Sequence, residues 1–110
     1  MFTDWKVDHG EPFVFMNAAW DVGKAKEILR DKPREDFPLE VQKYQALLEM
    51  IAGFSNNPVN LDVPAICVKV SKGMLPIDGW NRILEASRQG RATIPAVLLT
   101  KAEERRIRLR

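Results

Sequence analysis

The chain is predicted to be a single α/β domain with a small mixed sheet flanked by helices. Three observations carry this. Short apolar runs of strand length recur along the sequence, and between them lie stretches whose apolar residues repeat at helical spacing. Glycine, proline and asparagine punctuate the junctions. In the C-terminal half an apolar run passes through Asp78-Gly79 straight into a helical pattern, the strand-to-helix order of α/β folds.

The elements follow in order. Phe13-Val14-Phe15-Met16 is apolar at every position, as expected of a strand covered on both faces. Asp21 is placed to cap a helix from Val22 to about Asp31, with Val22, Ala25, Ile28 and Leu29 as its buried stripe and Lys24, Glu27 and Asp31 on its polar face. A charged connection, residues 31–36, leads to a second helix predicted over residues 38–52. Pro38 suits its first turn, Phe37, Val41, Tyr44, Leu48 and Ile51 form a stripe, and Gly53 suits its stop. That stripe serves equally to complete the core or to form a homodimer surface. Ser55-Asn56-Asn57-Pro58 is a loop. Residues 64–70 alternate as a strand, Ser71-Lys72-Gly73 turns the chain, and residues 74–77 return as its hairpin partner. A helix over residues 80–89 stops at Gly90, and residues 93–99, apolar on both faces, form an interior strand with Pro95 near its start.

Composition narrows the function classes. At 110 residues the chain has the size of one domain and can bury a core. Charge is nearly balanced, 17 Lys and Arg against 15 Asp and Glu, so overall charge makes no case for nucleic acid, although its position can. No apolar run is long enough to cross a bilayer, so no membrane partner is expected, and residues 1–6 lack a signal-peptide pattern. A single cysteine, Cys67, has no internal disulfide partner, which fits a reducing cytoplasm. His9 stands alone, with no cysteine pair or second histidine to complete a metal site. Trp5 and Trp20 flank the first strand as core or rim aromatics.

Asp78-Gly79-Trp80-Asn81-Arg82 is the stretch with the most chemical content. A strand that turns through Asp-Gly into a helix gathers free backbone N–H groups at one point, where the helix dipole is positive. Arg82, in the first helical turn, adds a fixed charge with a planar donor fork. Together these suit a phosphate or another anion. The competing reading makes Asp78-Gly79 a plain turn with a helix cap and pairs Arg82 with an acidic neighbour such as Asp78. Trp80 can stack on a base or cap the helix start as an apolar lid.

From Val63 onward the order strand, glycine turn, strand, Asp78-Gly79-x-x-Arg82, helix with Ala86, Gly90, then Thr93-Ile94-Pro95-Ala96-Val97 resembles the ParB/sulfiredoxin-like superfamily. Its members carry Asp-Gly-x-His-Arg, Gly-Glu-Arg-Arg or Gly-Gly-Cys-His-Arg at this turn. The N-terminal strand and the Asp21-Val22-Gly23-Lys24 helix start are similar too, and about four-fifths of the chain is covered, leaving out the segment around residues 37–51. The resemblance implies a nucleotide-binding domain. Arg82 and the N–H groups around Gly79 and Trp80 would hold the phosphates of ATP or CTP with magnesium, and Lys24 would reach them from the other helix.

The departures carry as much information. Trp80 stands where sulfiredoxins have the catalytic cysteine and CTP-binding ParB proteins a glutamate, and Asn81 stands where the family has arginine or histidine. Asparagine donates a hydrogen bond to phosphate but does not titrate. The chain also lacks room for the helix-turn-helix domain of full-length partition proteins. Lys24 and Glu27, three residues apart, form a surface ion pair or leave Lys24 to a phosphate. Glu27 and Asp31 are solvated surface, magnesium ligands or a general base.

Residues 101–110 hold five basic residues against two acidic ones. They form a solvated terminal helix with a Glu104–Arg108 pair, or a basic arm that contacts DNA phosphate or an acidic protein partner. Two functions from different classes are therefore expected. One is a nucleotide-binding domain, with hydrolysis or phosphotransfer undecided. The other is a non-catalytic adaptor of the same fold that binds DNA or a protein.

Overall fold

The computed structural model describes residues 12–51, 59–71 and 73–110, apart from the side chain of Glu49. In chain order the elements are β1 (Pro12–Phe15), β2 (Ala18–Asp21), α1 (Val22–Asp31), β3 (Phe37–Glu40), a 3-10 turn (Val41–Tyr44), α2 (Gln45–Ile51), β4 (Ala65–Val70), β5 (Gly73–Asp78), α3 (Trp80–Arg88), β6 (Thr93–Leu98) and α4 (Lys101–Ile107). Four strands form one mixed sheet in the order β3-β6-β4-β5, with β4 and β6 parallel and the other pairs antiparallel. β1 and β2 form a separate two-stranded sheet. Trp5, His9, Gly53, the loop around residues 55–58 and Lys72 lie outside the described residues.

Periodicity explains the elements that position the rest. Asp21 Oδ1 accepts the Lys24 backbone N–H at 3.0 Å, capping α1, and Val22, Ala25, Ile28 and Leu29 are buried along one stripe. Ala65, Ile66, Cys67 and Val68 are all buried, as an interior strand requires. β6 lies between β3 and β4, so residues 93–98 are interior as expected. Pro95 costs that sheet little. It sits opposite Pro38 on the β3 side, and the ladder to β4 begins only at Ala65↔Ala96.

Two expectations fail. Residues 13–16 are not a strand covered on both faces: Val14 is exposed, and Met16 is 84% exposed in the β1–β2 turn, at φ 54°. Four apolar residues in a row satisfy either environment. What decides is that β1 finds one neighbour, β2, and stays outside the main sheet. Residues 38–52 are not one helix either. Phe37–Glu40 pairs with β6 from Phe37↔Ala96 to Glu40↔Thr93, and only after the 3-10 turn does α2 begin. A proline-led start reads locally as a helix N-terminus, but it equally suits an edge strand that gives up one donor. The expected stripe survives the change, with Val41, Tyr44 and Leu48 buried and Phe37 and Ile51 half-buried.

The C-terminal segment is docked rather than loose. Thr100 and Glu103 form a reciprocal capping box at the start of α4, and Ile107 is buried at its end. Beyond the helix, Leu109 N–H donates to the Ala19 carbonyl at 2.8 Å and Ala19 N–H to the Arg110 carbonyl at 3.1 Å. Glu103 also receives both ends of the Arg34 guanidinium, at 2.5 and 2.7 Å, with little solvent on either side chain. Arg34 donates further to the Lys32 carbonyl at 3.0 Å, so the loop after α1 is fastened to α4.

The Arg34 hydrogen bonds hold the Glu103 carboxyl down to about 2, with the Thr100 N–H helping and burial opposing. The folded value lies below the unfolded one of about 4.3, so the stabilisation is complete above that value and lost as pH falls towards 2. Glu103→Gln should therefore flatten the loss of stability between about pH 5 and 2, followed by urea unfolding at each pH. Arg34→Ala at neutral pH should cost about 2–3 kcal/mol, because it strands a screened carboxylate.

Candidate functional site at the β5–α3 turn

β5 ends at Asp78, and Gly79 carries the chain into α3 at φ 103°, ψ 13°. This backbone conformation favours glycine, and packing demands it too. A Cβ on Gly79 would lie 2.8 Å from Ala65 Cβ and 2.9 Å from Arg82 Nη2. The turn thus rests directly on β4, at one of its smallest side chains.

Gly79 is the cap residue of α3 and has no side chain to serve as one. The first helical bond runs from Ile83 N–H to the Gly79 carbonyl at 3.0 Å, so the N–H groups of Trp80, Asn81 and Arg82 precede it. Asp78 does not cap the helix, as its composition suggested it could. Its Oδ2 instead lies 3.2 Å from Arg82 Nη2. The same nitrogen donates to the Pro64 carbonyl at 3.3 Å, and Arg82 Nε is buried with no hydrogen-bond partner among the described residues. Arg82 therefore ties the first turn of α3 to the end of β5 and to the residue entering β4. The competing sequence reading, an Arg82–Asp78 pair, is what the structure contains.

Trp80 and Asn81 point to opposite fates. Trp80 is 6% exposed, its indole N–H donates to the Pro76 carbonyl at 2.7 Å, and its ring meets Tyr44 edge-on with centroids 5.8 Å apart. Tyr44 in turn donates its hydroxyl to the Met74 carbonyl at 3.0 Å. Of the two roles open to Trp80, the apolar lid is the one built; the ring is turned away from any ligand at the surface. Asn81 is exposed. Lys24 is exposed as well, but α1 packs on α4 and β1, whereas α3 packs on α2, the 3-10 turn and β6. Among the described residues no hydrogen bond or ion pair joins Lys24 to the turn or to Glu27. Of the six predicted residues, Asp78, Gly79, Trp80, Asn81 and Arg82 are consecutive at the turn, and Lys24 stands on α1.

Cys67 is fully buried, and burial pushes its thiol up to about 12, so it is protonated at neutral pH and inert as a nucleophile. Among the described residues no three His, Cys, Asp or Glu side chains gather to hold a metal, and no helix is long and apolar enough to cross a membrane. Two shallow clefts, of about 530 and 420 Å³, lie elsewhere, and none of the six predicted residues lines them.

Sequence reasoning missed two polar clusters. One is Arg34–Glu103; the other joins the Trp20 indole N–H to Glu104 Oε2 at 3.0 Å, with Arg108 5.8 Å above the Trp20 ring, whereas the Glu104–Arg108 pair expected from the sequence is present at 3.7 Å. The spacing Thr100-x-x-Glu103 is a capping-box signature and was the one local sign of α4's start. Comparison of the chain with protein-family models, curated proteins and solved structures finds no match.

Gly79→Ala should lower stability by on the order of 2–4 kcal/mol, combining left-handed strain with overlap against Ala65, as read from urea unfolding. Cys67 should resist a thiol reagent such as Ellman's in the native protein and react at once in denaturant. Rapid native labelling would mean that β4 is open to solvent.

Proposed function

We propose that the chain is a non-catalytic binding domain of the ParB-like kind, which takes a phosphate-bearing anion at the start of α3. The observation that carries this is the first turn of α3. It has no side-chain cap, is forced open by glycine, and has a guanidinium alongside whose Nε is buried and unpartnered. A buried cationic donor without an acceptor is costly, and an anion at the turn supplies one. Asn81, exposed on the same turn, adds an amide donor. A nucleotide is the ligand that the ParB/sulfiredoxin resemblance implies. Its magnesium would be carried by the phosphates, since the described residues offer no cluster to hold it.

Turnover has no support. Trp80 replaces the cysteine or glutamate of the related motifs and is buried, and Cys67 is protonated and enclosed. Phosphoryl transfer needs groups that position and neutralise the moving phosphoryl oxygens, and here a single arginine is shared with a carboxylate. Asp78 also sets the affinity, because it occupies Arg82 and repels an incoming anion.

A second reading, Arg82 as a structural brace alone, is favoured by its bonds to Asp78 and the Pro64 carbonyl. Thermal melting with inorganic phosphate, ATP and CTP, with and without magnesium, separates the two. Binding predicts a melting temperature that rises with ligand concentration. Arg82→Ala should then cost roughly ten- to a hundredfold in affinity, Arg82→Lys should recover part of it, and Asp78→Asn should bind more tightly than wild type. If Arg82→Ala melts far lower and wild type responds to no ligand at millimolar concentration, Arg82 is a brace and the site is not one.

A further inference from the structure

In sequence, residues 101–110 mix charges of both signs, and the fold sorts them. Both carboxylates are used inward. Glu103 is held by Arg34 and by the Thr100 cap, and Glu104 by the Trp20 indole and Arg108. The five cations, Lys101, Arg105, Arg106, Arg108 and Arg110, are all exposed. Among the described residues, the side chains of Lys101, Arg105 and Arg106 make no hydrogen bond or ion pair. Lys101 and Arg105 stand one helical turn apart on the outer side of α4, with Arg106 on its flank, while Glu103 and Ile107 face inward at the same spacing. The segment is also rigid. It is capped at Thr100, anchored by Ile107 and hydrogen-bonded to Ala19 beyond the helix, so its backbone sets the spacing of these side chains before any partner arrives.

We propose that this outer face of α4 binds nucleic acid through its phosphates, without reading bases. An acidic protein surface is the weaker match, because stable protein interfaces centre on buried aromatic or aliphatic anchors. Apart from Leu109, at 58% exposure, the face offers only Ala102. A phosphate backbone needs no such anchor: its regular charge is satisfied by a row of arginine and lysine that releases counterions on contact. The surface belongs to a different helix from Arg82, so it stands or falls independently of the anion site at the β5–α3 turn.

Fluorescence anisotropy with labelled duplex DNA of several unrelated sequences tests it, because truncation at Thr100 would remove Glu103 and Ile107 and test folding instead. With about four phosphate contacts, affinity should fall on the order of a hundredfold between 50 and 200 mM salt, similarly for every sequence. The double variant Arg105→Ala/Arg106→Ala removes two unpartnered surface cations, so its melting temperature should match wild type. Its log–log salt slope should shrink by about two and its low-salt affinity should drop roughly tenfold or more. No binding at 50 mM salt, equal binding by the double variant, or polyglutamate bound as tightly as DNA would each overturn the assignment.

Discussion

The close approach of Gly79 to Ala65 governs the arrangement around α3. Ala65 sits opposite Ala96 in the parallel β4–β6 ladder, and both are fully buried. Small residues at this crossing let the chain leave β5 and enter a helix within one residue, pressed onto the sheet. Everything at the turn then follows. Arg82 arrives beside Asp78 and the Pro64 carbonyl, Trp80 is folded beneath the turn against Tyr44, and the first N–H groups of the helix are left without a side-chain cap. A larger residue at 65 or 79 would lift the helix and scatter that set.

Away from the main sheet, charge takes over part of the work. The β1–β2 hairpin and α1 are joined to the rest through α4 and the final residues. Hydrogen bonds from Arg34 to Glu103 and from Trp20 to Glu104 supplement the apolar contacts there. Bidentate, screened arginine–carboxylate pairs are among the stronger polar contacts, and here one fastens a loop to a helix. The same clamps have a consequence for the surface: by drawing both glutamates of α4 inward, they leave Lys101, Arg105 and Arg106 as the exposed charges of the helix. Structural pairing and surface potential are set by the same two residues.

At position 80 the chain places a packing residue. A tryptophan that donates to the Pro76 carbonyl and meets Tyr44 edge-on stabilises the β5–α3 junction. A fold class leaves the function to be argued from the site, and at this turn the structure places uncapped N–H groups beside a guanidinium.

Much of this was legible in the residues. The α1 stripe, the interior strands β4 and β6, the hairpin into β5 and the glycine turn into α3 each carry a period or a turn residue that suits one backbone state, so local sequence determined them. The place of Arg82 in the first turn followed from spacing alone, and Asp78, four residues earlier, was its nameable partner. Tertiary structure alone decided the rest. Phe37-Pro38-Leu39-Glu40 could begin a helix or lie along a sheet edge, and pairing with β6 made the choice. Residues 13–16 suited a buried or an edge strand, and the number of neighbours settled it. Whether Trp80 faced solvent or core, and whether α4's glutamates faced in or out, depended on partners such as Arg34, 69 residues from Glu103. Short-range patterns determine backbone state because dihedral preference and periodicity are local. Which side chain meets which is decided by contacts between segments far apart in sequence, and those exist only once the chain has folded.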